Sequence, residues 1–192
     1  MDTTTADDIS RLLNQYRTAI HETRDHASER CSFGRFRAGA PYFARHALQL
    51  LTSTHGDRAL FTPAFEKEFE RVNADLALLE HEGGRAYREE LFCDLIAYTE
   101  AFRTILCYRE LGMCDTDGID DVREEIEVLL AELEGEFYLD PIRALVSSLD
   151  ETSLSLREAD TAKPERSETP APAGELPSSF YLHGKRTGIP EQ

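Results

Sequence analysis

Lysine is nearly absent from this chain: only Lys67, Lys163 and Lys185 stand among 21 basic residues, and the other 18 are arginines. Cysteine is scarce as well, four in 192 residues, which excludes a disulfide-dense secreted scaffold. No apolar run approaches the ~20 residues needed to span a bilayer, so no membrane association is expected. The opening MDTTTADDIS is acidic where a signal peptide is basic. Positive charge is in deficit, with 37 Asp and Glu leaving a formal charge of −16. That excludes a generally basic nucleic-acid binder. β-Branched residues are few and no segment alternates for long, so strands are not expected.

What is present suffices for a core. Hydrophobic residues make up 41% of the chain, with 10 Phe, and a folded part of ~150 residues buries ~70% of its unfolded surface without metal or disulfide staples. Carboxylates, with arginine in place of lysine, keep a surface hydrated when salt is molar and the Debye length falls to ~3 Å. The composition is that expected of a cytoplasmic protein from a salt-accumulating halophile, and unpaired cysteines fit a reducing cytoplasm. On that reading the acidity is an adaptation to solvent and names no partner.

Helical periodicity dominates. A first helix is expected from about Ala6 to Arg30 on the stripe Ile9, Leu12, Leu13, Tyr16 and Ile20. After the loop CSFGRFRAGA, Pro41 suits the first position of a second helix carrying Phe43, Leu48, Leu50 and Leu51 to about Thr54. Thr62-Pro63 reads as N-cap and first turn of a third, with Phe65, Phe69, Val72, Leu76 and Leu79 inward. Gly83-Gly84 is expected to separate it from a fourth, about Arg85 to Leu111. That helix is apolar on several sides and so belongs in the middle of a bundle, with Gly112 as its stop. A fifth helix is expected over about Ile119 to Glu134, and a short sixth from Asp140-Pro141 to Leu149.

The predicted architecture is all-α: a compact bundle of five to six helices over residues 5–149, a disordered acidic linker over 150–178, and a C-terminal docking motif over 179–192. The linker, with TAKPERSETPAPAGELPSS, has almost nothing to bury. Charge is uneven along this plan. Residues 11–46 carry +4 and residues 179–192 carry +1, whereas residues 47–149 carry −14.

The basic segment supplies the first candidate site. Arg30, Arg35 and Arg37 flank a Gly-containing loop that leads into a helix start, and Arg45 and His46 follow one turn in. Helix N-termini and arginine forks attract anions, so this group is a candidate anion or nucleic-acid site. The competing role for the same arginines is pairing with acids of the fifth helix, Glu124, Glu125 and Glu127. The spacing matches no P-loop or dinucleotide fingerprint.

Other constellations are weaker. His21 and His26 lie ~140° apart on a helix, HETRDH is not HExxH, and no Glu-x-x-His occurs, so no metal and no cofactor are expected. Cys93, Cys107 and Cys114 share a helix side but are too far apart along it to chelate one ion. Cys31 sits among arginines that favour a thiolate. Glu89, Glu90 and Asp94 lie beside apolar positions, where a raised pKa would suit acid–base work. Tyr98-Thr99-Glu100-Ala101, followed by a helix with Glu132 and Glu136, is loosely similar to the all-helical translin family over a handful of residues. That likeness implies RNA as a ligand class; the family's N-terminal helix pattern is not matched, and the chain is not assigned to it.

The tail supplies the second candidate. Phe180, Tyr181, Leu182 and Ile189, with His183, Lys185 and Arg186, have the make-up of a short motif that orders on a partner. The function expected is therefore a non-enzymatic cytoplasmic interaction or regulatory protein with a protein partner. The alternative is a nucleic-acid-associated protein using the arginines of 24–46.

Overall fold

Ile9, Leu13, Tyr16 and Ile20 recur at three- and four-residue spacings, and all four are buried along helix α1 (Thr3–Ser28). Four more helices follow: α2 (Ala40–Thr54), α3 (Pro63–Glu110), α4 (Ile119–Glu132) and α5 (Asp140–Thr161). The computed structural model describes residues 3–28, 38–54, 62–113 and 118–161, and among these there is no strand. The described residues are all-α, as the periodicity predicts.

Caps decide the helix ends. Thr62 accepts a hydrogen bond from the Phe65 N–H at 3.2 Å, with Pro63 occupying the position where a missing N–H costs nothing. At the other end of α3, Gly112 N–H reaches the Arg109 carbonyl and Met113 N–H the Tyr108 carbonyl. This pair of bonds closes the helix around a left-handed Gly112, φ 70°.

The break expected at Gly83-Gly84 is present as a kink: Gly84 leaves helical geometry (φ 49°, ψ −136°), and α3 runs as two helical stretches joined directly there. Because one residue absorbs the whole change, Val72, Leu76 and Leu79 before the bend and Leu91, Leu95, Phe102 and Leu106 after it all stay buried.

The bend divides the packing partners of α3. Its first part lies beside α1, running in the same direction, as the pairs Arg17–Glu68 and Arg24–Glu82 require. Its second part packs on α4 and α5, with the Phe92 and Phe137 rings stacked at 4.8 Å. Helix α2 packs on α1 and also reaches α4. Each large apolar side chain taken wholly from water here, such as Leu91, Leu95 or Leu129, contributes ~1.5–3 kcal/mol.

Of the apolar residues on α2, Leu50 is 44% exposed, while Leu48 and Tyr42 are fully buried. One expectation is corrected. Helix α5 does not stop at Leu149: it continues to Thr161, into the segment expected to open the linker. The extension packs through buried Ser153 and half-buried Leu156, and it is tied to α4 by Arg123–Asp150 and Arg157–Asp120. The rest of the linker and the tail, residues 162–192, lie outside the described residues.

Candidate functional site

The start of α2, the bend in α3 and the end of α4 meet around an unusually polar group of side chains. Tyr42 donates its hydroxyl to Glu80 Oε1 at 2.6 Å. Its ring stacks on that of Tyr87 (centroids 6.4 Å apart), and the Arg45 guanidinium lies 5.2 Å from the same ring. Tyr87 in turn donates to the Ala38 carbonyl at 2.8 Å. The buried carboxylate of Asp94 accepts the Gly39 N–H at 2.9 Å, a donor that no helical carbonyl satisfies. The first turn of α2 is thus anchored by side chains from α3.

Arginines complete the group. Arg45 pairs with Glu132, and Arg88 pairs with Glu136 through Nε at 2.7 Å while also donating to the Glu132 carbonyl at the end of α4. Two cations thereby hold the α4 terminus against α2 and α3, where the helix dipole is negative. Glu80, Gly84, Arg88, Glu132 and Glu136 line a cleft of about 410 Å³. A larger depression of about 650 Å³ runs along α1, and the described residues that line it, among them Arg11, Asn14 and Glu22, all belong to α1. Among the described residues no second element contributes chemistry there, so the cleft beside the bend is the stronger candidate.

The electrostatics of this group keep it fixed at neutral pH. Burial pushes the Tyr16 hydroxyl up to about 12, and raises Tyr42 and Tyr87 well above the ordinary tyrosine value. All three are hydrogen-bond donors and none is a ready base. Tyr16 uses its hydroxyl on Asn73 Oδ1 at 2.9 Å. Donation from Arg88 holds the Glu136 carboxyl below the usual carboxylate range, so it stays ionised and does not serve as a general acid.

Of the residues predicted to bind an anion or nucleic acid, Arg45 and His46 are described. Arg45 is committed to Glu132, and His46 Nε2 lies 3.0 Å from Glu124. Both thus stand in pairs between α2 and α4, and Glu124 is one of the acids the sequence put forward for such pairing. Arg24 faces Glu82. Arg30, Arg35 and Arg37 lie outside the described residues, as do Cys31, Cys114 and the docking residues Phe180, Tyr181, Leu182, His183, Lys185, Arg186 and Ile189.

The acid–base trio is not brought together. Glu89 is exposed and paired with Arg85, Glu90 is exposed, and Asp94 points inward to the start of α2. Cys93 and Cys107 are both exposed and free. Among the described residues no cluster of His, Cys, Asp and Glu could hold a metal ion, and no helix is long and apolar enough to cross a membrane. Sequence reading missed Tyr42, Glu80 and Arg88, whose meeting depends on α2 packing against both sides of the bend in α3. The one local signal was Asp94, an acid set between the apolar positions Leu91, Leu95 and Tyr98. No family model matches this chain, and no curated protein or solved structure is significantly similar to it.

Proposed function

We propose that this protein is a non-enzymatic interaction or regulatory protein of a halophile's cytoplasm, a helical body that docks a protein partner through its C-terminal segment 179–192. The observation that carries the reading is the commitment of the cleft's charges to one another. Arg45, Arg88, Glu132 and Glu136 are used in holding α2, α3 and α4 together. Burial raises the pKa of the neighbouring tyrosines and keeps their hydroxyls protonated, which suits a brace more than a reaction centre. The reading assigns recognition to the tail instead. In the tail, Phe180, Tyr181, Leu182 and Ile189 supply apolar anchors, and His183, Lys185 and Arg186 supply charge opposite to that of most of the chain.

The test compares affinity capture by the full chain with capture by a chain lacking residues 179–192, alongside thermal melts of both. The reading expects a partner to be lost and the melting temperature to stay put. Retention of the same partners by the shortened chain overturns it. If the retained material is nuclease-sensitive, the arginines of 24–46 become the better candidates.

A further inference from the structure

We propose that the outer face of α3 between Cys93 and Glu110 pairs two copies of this chain as an antiparallel helix pair. The face is defined by position and exposure. Cys93, Ile96, Glu100, Arg103, Cys107 and Glu110 follow alternating three- and four-residue steps, the a/d spacing by which one helix seam meets another. All six are exposed, Ile96 by 45% of its surface. The opposite side of the same stretch carries Leu91, Leu95, Phe102 and Leu106 into the core. An exposed isoleucine and two exposed thiols are left on a helix whose inward face is already satisfied.

Charge selects the occupant. A chain of −16 repels its own copies over most of its surface, yet this seam has at its centre one acid and one base, Glu100 and Arg103. Within one chain they pair at 2.6 Å, half exposed. In an antiparallel pair, residues whose numbers sum to a constant lie opposite. The register that sets Glu100 against Arg103 of the second copy also sets Arg103 against Glu100. It further sets Ile96 against Cys107 on both sides of the two-fold axis, and Cys93 against Glu110 at each end. Every central layer is thus either oppositely charged or apolar. A parallel pair would instead place Glu100 on Glu100 and Arg103 on Arg103, with like charges directly across the seam. The two-fold symmetry needs no second surface, because the same patch serves both copies. The contact spans ~27 Å of helix, which suits a dimer that forms and separates with concentration.

The experiment is sedimentation equilibrium of the full chain over a concentration series, with far-UV circular dichroism to check that each variant is folded. Arg103→Glu and Glu100→Arg are each expected to weaken the dimer about tenfold or more. The double exchange Glu100→Arg/Arg103→Glu is expected to restore it, and mixed with the native chain it should give no heterodimer. In Ile96→Cys, mild oxidation should give a covalent dimer whose crosslinked peptide joins position 96 to Cys107. A monomer at all concentrations overturns the proposal. So does a dimer indifferent to the single charge changes, or one crosslinked Cys107 to Cys107.

Discussion

Tyr42 touches α3 on both sides of its bend: its hydroxyl bonds Glu80, four residues before Gly84, and its ring stacks on Tyr87, three residues after it. Helix α2 thereby braces a point where α3 has lost regular helical geometry. The brace is reinforced by Tyr87 on Ala38 and Asp94 on Gly39, so the first turn of α2 and the bend fix each other.

Removing only the Tyr42 hydroxyl tests this brace. Tyr42→Phe keeps the stacked ring and the burial, and leaves half-buried Glu80 without its donor. A hydrogen bond to a charged group contributes ~1.5–3 kcal/mol, and partial exposure of Glu80 places the expected loss near the lower end, about 1–2 kcal/mol. The alkaline limb should change too. Burial raises the Tyr42 pKa, so above pH ~10 the unfolded chain ionises first. Stability is full below that value and falls as pH climbs toward the raised folded one. Urea titrations from neutral to alkaline pH should show a shallower decline in Tyr42→Phe; an identical decline would remove Tyr42 from the account.

Gly84→Ala separates backbone from packing. A Cβ at Gly84 meets nothing within 4 Å, so no clash contributes. The φ of 49° with ψ −136° is nearly closed to residues with a side chain, and holding one there costs ~1–3 kcal/mol. Alanine in a regular helix interior would instead stabilise by ~1 kcal/mol. The sign of the change in a thermal melt therefore reports whether α3 is bent in solution: a loss supports the bend, and a gain sinks it.

The bend and the extension of α5 show where the sequence is legible and where it stops. Periodicity found α1 and α4 because their inward positions are occupied almost wholly by Ile, Leu, Val and Tyr. It placed a break at Gly83-Gly84, where Gly84 does leave helical geometry; that the interruption is a one-residue kink and not a loop was not readable from a glycine pair. It stopped α5 at Leu149 because the next inward position is Ser153 and the next leucine, Leu154, is 60% exposed. The inward series Ile142, Val146, Leu149, Ser153, Leu156 is regular; one buried hydroxyl interrupts its apolar signal. The polar cleft was illegible for a different reason. Tyr42, Glu80 and Arg88 are distant or differently placed along the chain, and nothing local to any of them marks their meeting.

Acid should expose the Arg88–Glu136 clasp. Donation from Arg88 lowers the Glu136 pKa below its unfolded value of ~4.3. The folded state therefore takes up this proton less readily than the unfolded chain. The contribution is present in full above ~4.3 and is lost as pH falls through the lowered folded value. Glu136→Gln removes this dependence, so the variant should be less stable than the native chain at neutral pH, and the gap should narrow as pH drops below 4. The gap is expected to be small, since Glu136 is nearly half exposed and water screens the pair. Melts at closely spaced pH values check it; a gap constant down to pH 3 would count against the clasp.

The extension of α5 yields the sharpest stability contrast. A chain ending at residue 161 keeps Arg123 bonded to Asp150 at 2.7 and 2.9 Å, keeps Arg157 on Asp120, and keeps Leu156 against the core. A chain ending at residue 149 loses all three contacts. It also leaves Arg123, only 24% exposed, with Glu127 of its own helix as partner and without Asp150, the carboxylate that ties it to α5. Losing one of two carboxylate partners of a largely desolvated cation, together with part of a leucine's burial, is expected to cost about 1–3 kcal/mol. Urea midpoints of the two shortened chains should therefore differ clearly, with the 161-residue chain close to full length. Equal midpoints would mean that residues 150–161 do not pack on α4, and that the helical body ends at Leu149 after all.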